Sequence, residues 1–108
     1  MEILEETFEL LRTYKLAHSQ YEYSKYWLGM SQSYYSFLKA SRASPSIAAL
    51  TKLWARLDDK VLYLRSSHCF PISESLQKLC SDLDLARARV LTQIKTNCSE
   101  SSWNLDHQ

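Results

Sequence analysis

From Ile3 to Leu16 the larger apolar residues, Leu4, Phe8, Leu11 and Tyr14 among them, fall three or four positions apart, and Glu2, Glu5, Glu6 and Glu9 place negative charge in the early turns. This pattern predicts an amphipathic helix whose acids match its dipole. Ser19 predicts the cap of a second helix, with Glu22 three residues on completing a capping-box pattern and Tyr23, Tyr26 and Trp27 forming the inner face. Gly29, the only glycine in the chain, ends that helix, because a left-handed residue after a helix costs glycine nothing. Ser31 is then the expected cap of a third helix from Gln32 to Ala40, with Tyr34, Phe37 and Leu38 to one side and Tyr35 at the edge.

After a loop from Ser41 to Pro45, Ser46 predicts the cap of a fourth helix. Within it Ile47, Leu50, Trp54, Leu57, Val61 and Leu64 alternate by three and four as far as about Arg65. The stretch from Ser66 to Pro71 breaks the pattern, with Pro71 disfavouring helical geometry at Phe70. Ser73 precedes a last helix in which Leu76, Leu79, Leu83, Ala86, Val90 and Ile94 repeat in fours and threes, and the polar tail from Asn97 is expected to fray. The seam of Leu76, Leu79, Leu83, Val90 and Ile94 suits either a coiled coil between two subunits or packing on the fourth helix of the same chain. The short connection around Pro71 favours the second.

With 108 residues the chain suits one domain, since stable single cores take about 50 to 200 residues. One glycine and two prolines are too few turn residues for a sandwich or barrel of short strands, so the expected class is all-α with about five helices: an N-terminal bundle followed by a long-helix hairpin. A net charge of +1 carries no global basic excess, so any nucleic-acid role must be local. Cys69, Cys80 and Cys98 form no CxxC pair, and neither a metal site nor a cofactor is expected. His18, His68 and His107 are scattered and no Gly-rich phosphate loop or paired-carboxylate motif occurs, so the chain reads as a non-enzyme. An acidic N-terminus and the lack of an apolar run near 20 residues point to a cytoplasmic protein with no membrane partner.

The order helix, tight turn, helix around Gly29 is that of a helix-turn-helix. From Ser19 to Leu57 the stretch "SQYEYSKYWLGMSQSYYSFLKASRASPSIAALTKLWARL" resembles the Cro-type, lambda-repressor-like helix-turn-helix domain of phage and bacterial regulators, a resemblance that takes in roughly residues 3–57 once the first helix is included. Ser19-Gln20 matches the opening of the second helix and Gly29-Met30-Ser31 the turn. Gln32-Ser33-Tyr34 matches the start of the third helix, and Pro45-Ser46 with Ile47, Leu50 and Leu53 the opening of the fourth. On this division residues 1–57 are the helix-turn-helix portion, 58–97 a helical extension and 98–108 a frayed tail. The chain departs from the family pattern by one additional residue in the second helix, near Trp27-Leu28, and by Lys39 and Ser41 where the family often has an acid and a glycine. The small residue commonly buried in the second helix is Ser24.

The resemblance implies sequence-specific binding of double-stranded DNA as a transcriptional regulator, with the helix Gln32–Ala40 in the major groove. Gln32, Ser33, Ser36 and Tyr34 would contact bases, the Gln32 amide on an adenine edge being the leading candidate. Gln20, Lys25, Lys39 and Arg42 would contact phosphates. A homodimer is expected, since such readers commonly use two half-sites one DNA turn apart. Near-neutral charge and the bulky Tyr34-Tyr35-Phe37 surface support a rival, a protein-interaction module that kept the architecture and lost DNA. The tyrosines Tyr21, Tyr23, Tyr26, Tyr34 and Tyr35 read as core and rim residues rather than as stacking platforms.

Overall fold

The computed structural model describes residues 2–66 and 74–106, with no strand among them. Five helices succeed one another in these residues. α1 is Glu2–Thr13; α2 comprises a single α-turn, Gln20–Glu22, and the π-helical segment Tyr23–Trp27 into which it runs directly; α3 is Tyr34–Ser41, α4 Ile47–Ser66 and α5 Glu74–Asp106. The all-α expectation therefore holds. The break expected at Ser66 to Pro71 lies, past Ser66, outside the described residues, as do His68, Cys69 and His107.

α1 buries Leu4, Phe8 and Leu11, as its spacing requires, together with Thr7, whose hydroxyl donates to the Ile3 carbonyl at 2.7 Å. The helix stops at Thr13 rather than at Leu16. Lys15 takes a left-handed conformation, φ 59°, and the Leu16 and Ala17 amides both donate to the Leu11 carbonyl. A lysine at positive φ carries none of the glycine signal by which such an end is read.

α5 is the strut of the molecule. Its 33 residues reach about 50 Å at 1.5 Å per residue, and both α1 and α4 lie along it. Arg87 pairs with Asp58 at 2.6 Å and Arg65 with Asp84 at 3.3 Å, so residue numbers rise on α5 as they fall on α4 and the pair is antiparallel. α1 runs antiparallel to α5 too: Tyr14 donates its hydroxyl to Asp82 at 2.6 Å, and Arg89 pairs with Glu6 at 2.8 Å. Exposed ion pairs such as these contribute about 0–1 kcal/mol each, so they fix register more than they hold the helices together. The holding is apolar. Leu50, Leu53, Leu57 and Val61 of α4 and Leu83, Ala86 and Val90 of α5 are buried in one cluster with the α1 and α2 residues, and a fully buried leucine stabilises by roughly 1.5–3 kcal/mol.

The seam expected on the last helix thus packs within the chain. Leu83 and Val90 are buried, Leu79 and Ile94 half-buried, and the Leu76 side chain lies outside the described residues. On α4 the inner stripe is shifted from the expected one: Leu53 is buried, while Trp54 and Leu64 are only partly covered and Ile47 lies at the surface. α5 also continues to Asp106 instead of fraying at Asn97: adding residues to a helix already formed along its earlier turns avoids the cost of a new nucleus.

The other end of the core is aromatic. Phe8, Tyr23 and Tyr35 meet with ring centroids 4.9 to 5.3 Å apart, and the Tyr23 hydroxyl donates to the Leu4 carbonyl at 2.8 Å. Burial, with the Glu5 and Glu9 carboxylates adding to it, pushes the Tyr35 phenol up to about 12, and burial pushes Tyr23 well above its ordinary value. In the unfolded chain a tyrosine titrates near pH 10. Stability drawn from the neutral Tyr35 ring is therefore intact below pH 10 and is lost as pH climbs from about 10 towards 12, where the unfolded chain releases the proton first. Helical circular dichroism followed across that window should show an alkaline unfolding step. Tyr35→Phe should match the parent protein at pH 7 and lose less stability between pH 10 and 12; an unchanged alkaline profile in the variant would contradict the assignment.

Candidate nucleic-acid interface

The segment from Ser19 to Arg56 is built around one unusual turn. Ser19 is extended, φ −152°, and its hydroxyl accepts the Glu22 amide at 3.1 Å, so the expected cap is in place. Immediately afterwards the helix widens. The Leu28 amide donates to the Tyr23 carbonyl, five residues back, at 3.0 Å, and the Met30 amide reaches the Ser24 carbonyl at 2.9 Å. A π-turn holds one more residue than an α-turn, which is how a helix absorbs a single extra position without rotating the residues beyond it.

Widening also changes which side chains face inward. Tyr23, Ser24, Trp27 and Leu28 are buried, whereas Tyr26, expected inside, is 42% exposed. Its ring instead carries the Arg56 guanidinium 4.3 Å from the centroid, and Arg56 Nε donates to the Tyr26 carbonyl at 3.2 Å, which ties α4 to the end of α2.

Gly29 ends α2 with φ 66°, as expected, and a second constraint keeps it glycine: a Cβ there would sit 2.9 Å from Cγ of Lys52, whose stem lies over the turn. Past it, Gln32 and Ser33 form a turn rather than the first residues of a helix, and α3 begins at Tyr34. Neither Ser31 nor Ser33 caps it with a side chain: Ser31 accepts the Tyr34 amide through its carbonyl, and Ser33 makes no side-chain cap bond. The capping oxygen comes from α2. Buried Ser24 accepts the Tyr35 amide on its Oγ at 2.9 Å, which meets a helix-start donor that would otherwise be unsatisfied.

That bond sets the face of α3. Of the expected Tyr34, Phe37 and Leu38, Leu38 turns inward as expected, Tyr35 joins it in place of the other two, and Phe37 is left 62% exposed. Tyr34 is half-buried and bridges to the start of α4, where its hydroxyl donates to Ser46 Oγ at 3.3 Å and accepts the Ser46 amide at 3.0 Å. Ser46 in turn caps α4 by accepting the Ala49 amide at 3.1 Å.

Of the residues singled out for bases, Gln32 and Ser33 are exposed side by side in the turn, Ser36 is half-buried one helical turn on, and Tyr34 is occupied by its α4 contacts. Of those singled out for phosphates, Gln20 meets Ser36, whose hydroxyl donates to Gln20 Oε1 at 2.8 Å, so the starts of α2 and α3 are joined at the surface. Lys25, Lys39 and Arg42 are all exposed. The Lys39 ammonium lies over the Tyr35 ring, 5.5 Å from its centroid, and Arg42 closes α3 in a left-handed conformation, φ 55°.

One signal lies in the sequence without being part of the helix-turn-helix pattern. From Tyr23 to Leu57 the chain carries Lys25, Lys39, Arg42, Lys52 and Arg56 and neither an Asp nor a Glu, whereas the whole protein has a net charge of only +1. The positive charge is concentrated in this segment, and the rest of the chain is net negative.

Other surfaces offer less. A groove of about 270 Å³ between α1 and α5 is lined by Ile3, Leu10 and Leu85 with Glu6, Arg89 and Asp82, but Glu6 and Arg89 pair with each other and Asp82 accepts the Tyr14 hydroxyl. Among the described residues no three His, Cys, Asp or Glu side chains gather to hold a metal ion, and no helix is long and apolar enough to cross a membrane.

A family model described as a family of unknown function, DUF6626, matches residues 4–104. The chain belongs to that family. No curated protein and no solved structure gives a significant match. The DUF6626 match runs from α1 well into α5, so the aromatic end, the π-turn and the α4–α5 pair all fall inside it.

The Ser24 bond gives the site a direct test. Ser24→Ala leaves the Tyr35 amide buried without an acceptor, an omission that costs about 1–3 kcal/mol. Chemical denaturation should show that loss, and hydrogen exchange should show reduced protection at the start of α3. A variant as stable as the parent would mean that α3 is held by its apolar face alone.

Proposed function

We propose that this DUF6626 chain is a sequence-specific, cytoplasmic DNA-binding regulator of the Cro-like helix-turn-helix kind, which presents α3 and the turn before it to the major groove. The observation that carries the reading is the run of five cations without an acid from Tyr23 to Leu57, of which Lys25, Lys39 and Arg42 belong to the two short helices joined through Gly29 and Lys52 and Arg56 to the first half of α4. A polyanion is the partner such a segment suits, and short polar side chains at the start of α3 suit base edges. In this reading Gln32 and Ser33 reach bases from the exposed turn, Ser36 supports them through Gln20, and Lys25, Lys39 and Arg42 take phosphates. Tyr34 supports α4 and contributes to the site only through that contact. Two copies would present two α3 helices to successive major grooves about 34 Å apart, which makes a homodimer the working assembly.

A protein-interaction module is the second reading, favoured by the two large rings of Tyr21 and Phe37 left at the surface, 63% and 62% exposed. An aromatic residue in that state is a common anchor for another protein.

Fluorescence anisotropy of the full chain against a random-sequence duplex pool, over a salt series and with sequencing of the bound fraction, separates the two. The expected result is enrichment of a short site, with log affinity falling against log salt at a slope of about −2.7 per chain if Lys25, Lys39 and Arg42 each neutralise one phosphate. Gln32→Ala should relax one base position by about 1–3 kcal/mol, whereas Lys39→Ala should weaken all sequences alike and lower the slope by about one. Absence of binding at low salt would remove the DNA reading and leave the interaction module.

A further inference from the structure

We infer that Phe37 is the specificity-determining apolar residue of this surface and that it contacts the C5 methyl group of a thymine in the major groove. The inference rests on the DNA-binding reading above.

Phe37 is 62% exposed on a helix whose core-facing positions, Tyr35 and Leu38, are already filled. Its helical neighbours four back, three on and four on are Ser33, Ala40 and Ser41, all too short to cover a phenyl ring. The Ser41 hydroxyl is turned to the Phe37 carbonyl at 2.8 Å. The one bulky neighbour, Tyr34, is drawn away to the start of α4 by its two bonds with Ser46. The ring is therefore left open to a partner on this side of α3.

Two features choose the occupant. No acid occurs from Tyr23 to Leu57, and Lys25, Lys39 and Arg42 are exposed in the same segment, so the segment suits a polyanion better than an acidic protein face. On a base edge in the major groove, the apolar group available to a phenyl ring is the thymine methyl. Hydrogen-bonding side chains nearby, Gln32 and Ser33, would set the register in which the ring meets it.

The test uses sites selected by the full chain from a random duplex pool. Each thymidine is replaced singly by deoxyuridine, which removes one methyl group and leaves every hydrogen-bonding atom of the base in place. The expected result is one position per half-site at which the replacement weakens binding about fourfold, the effect of losing one buried methyl-sized group. Phe37→Ala should abolish that dependence and Phe37→Leu should keep it. If no thymine position responds, or if Phe37→Ala responds as the parent does, the assignment of Phe37 is overturned while DNA binding stands. If the parent selects no DNA at low salt, both fall together.

Discussion

The turn at Tyr23–Trp27 decides how the N-terminal half of this protein goes together. Over these five residues the helix widens from α to π geometry, which changes the side chains it turns inward. The wide turn brings Ser24 and Tyr23 to the inner face together, one to cap α3 and the other to close the aromatic cluster against Leu4 and Phe8. The same turn delivers Gly29 to the point where Lys52 covers it, so the left-handed exit from α2 is fixed from both sides. α3 takes its position from groups held by this one segment, which also touches α1 through the Tyr23 hydroxyl and α4 through the Tyr26 carbonyl.

The C-terminal half supplies support of a different kind. α5 offers apolar burial along Leu83, Ala86 and Val90 and two charged clamps, Arg87 to α4 and Arg89 to α1. Because Arg87 also pairs with Asp84 on its own helix, its guanidinium is held in place before it reaches Asp58. α5 therefore fixes α1 against α4 from outside the short helices. The α2–turn–α3 surface stays free of it, with α5 making its main contacts to α4 and α1.

Much of this is legible in the chain. Ser19, Gly29 and Ser46 do what their residue types predict, because a hydroxyl before a helix and a glycine after one act through local geometry alone. The long stripes on α4 and α5 are readable for a similar reason: over twenty or more residues a few misplaced positions do not change the face. The short helices are not. α3 carries Tyr34, Tyr35, Phe37 and Leu38 within five positions, which leaves two nearly equal apolar faces, and the choice between them is made by a serine eleven residues earlier in the chain. Tyr26 departs from its expected place because a template of threes and fours does not apply across a π-turn. The end of α1 at Thr13 is likewise unannounced, since the left-handed residue that follows it is Lys15 and not a glycine.

Net charge is the least informative number in the sequence, and its distribution among the more informative. A total of +1 conceals a first helix with four glutamates and a later segment of five cations without an acid. The two meet at Tyr35, whose phenol responds to Glu5 and Glu9 while its ring carries the Lys39 ammonium. Acids of α1 and a cation of α3 are thus brought to one ring, a local arrangement that a total of +1 averages away.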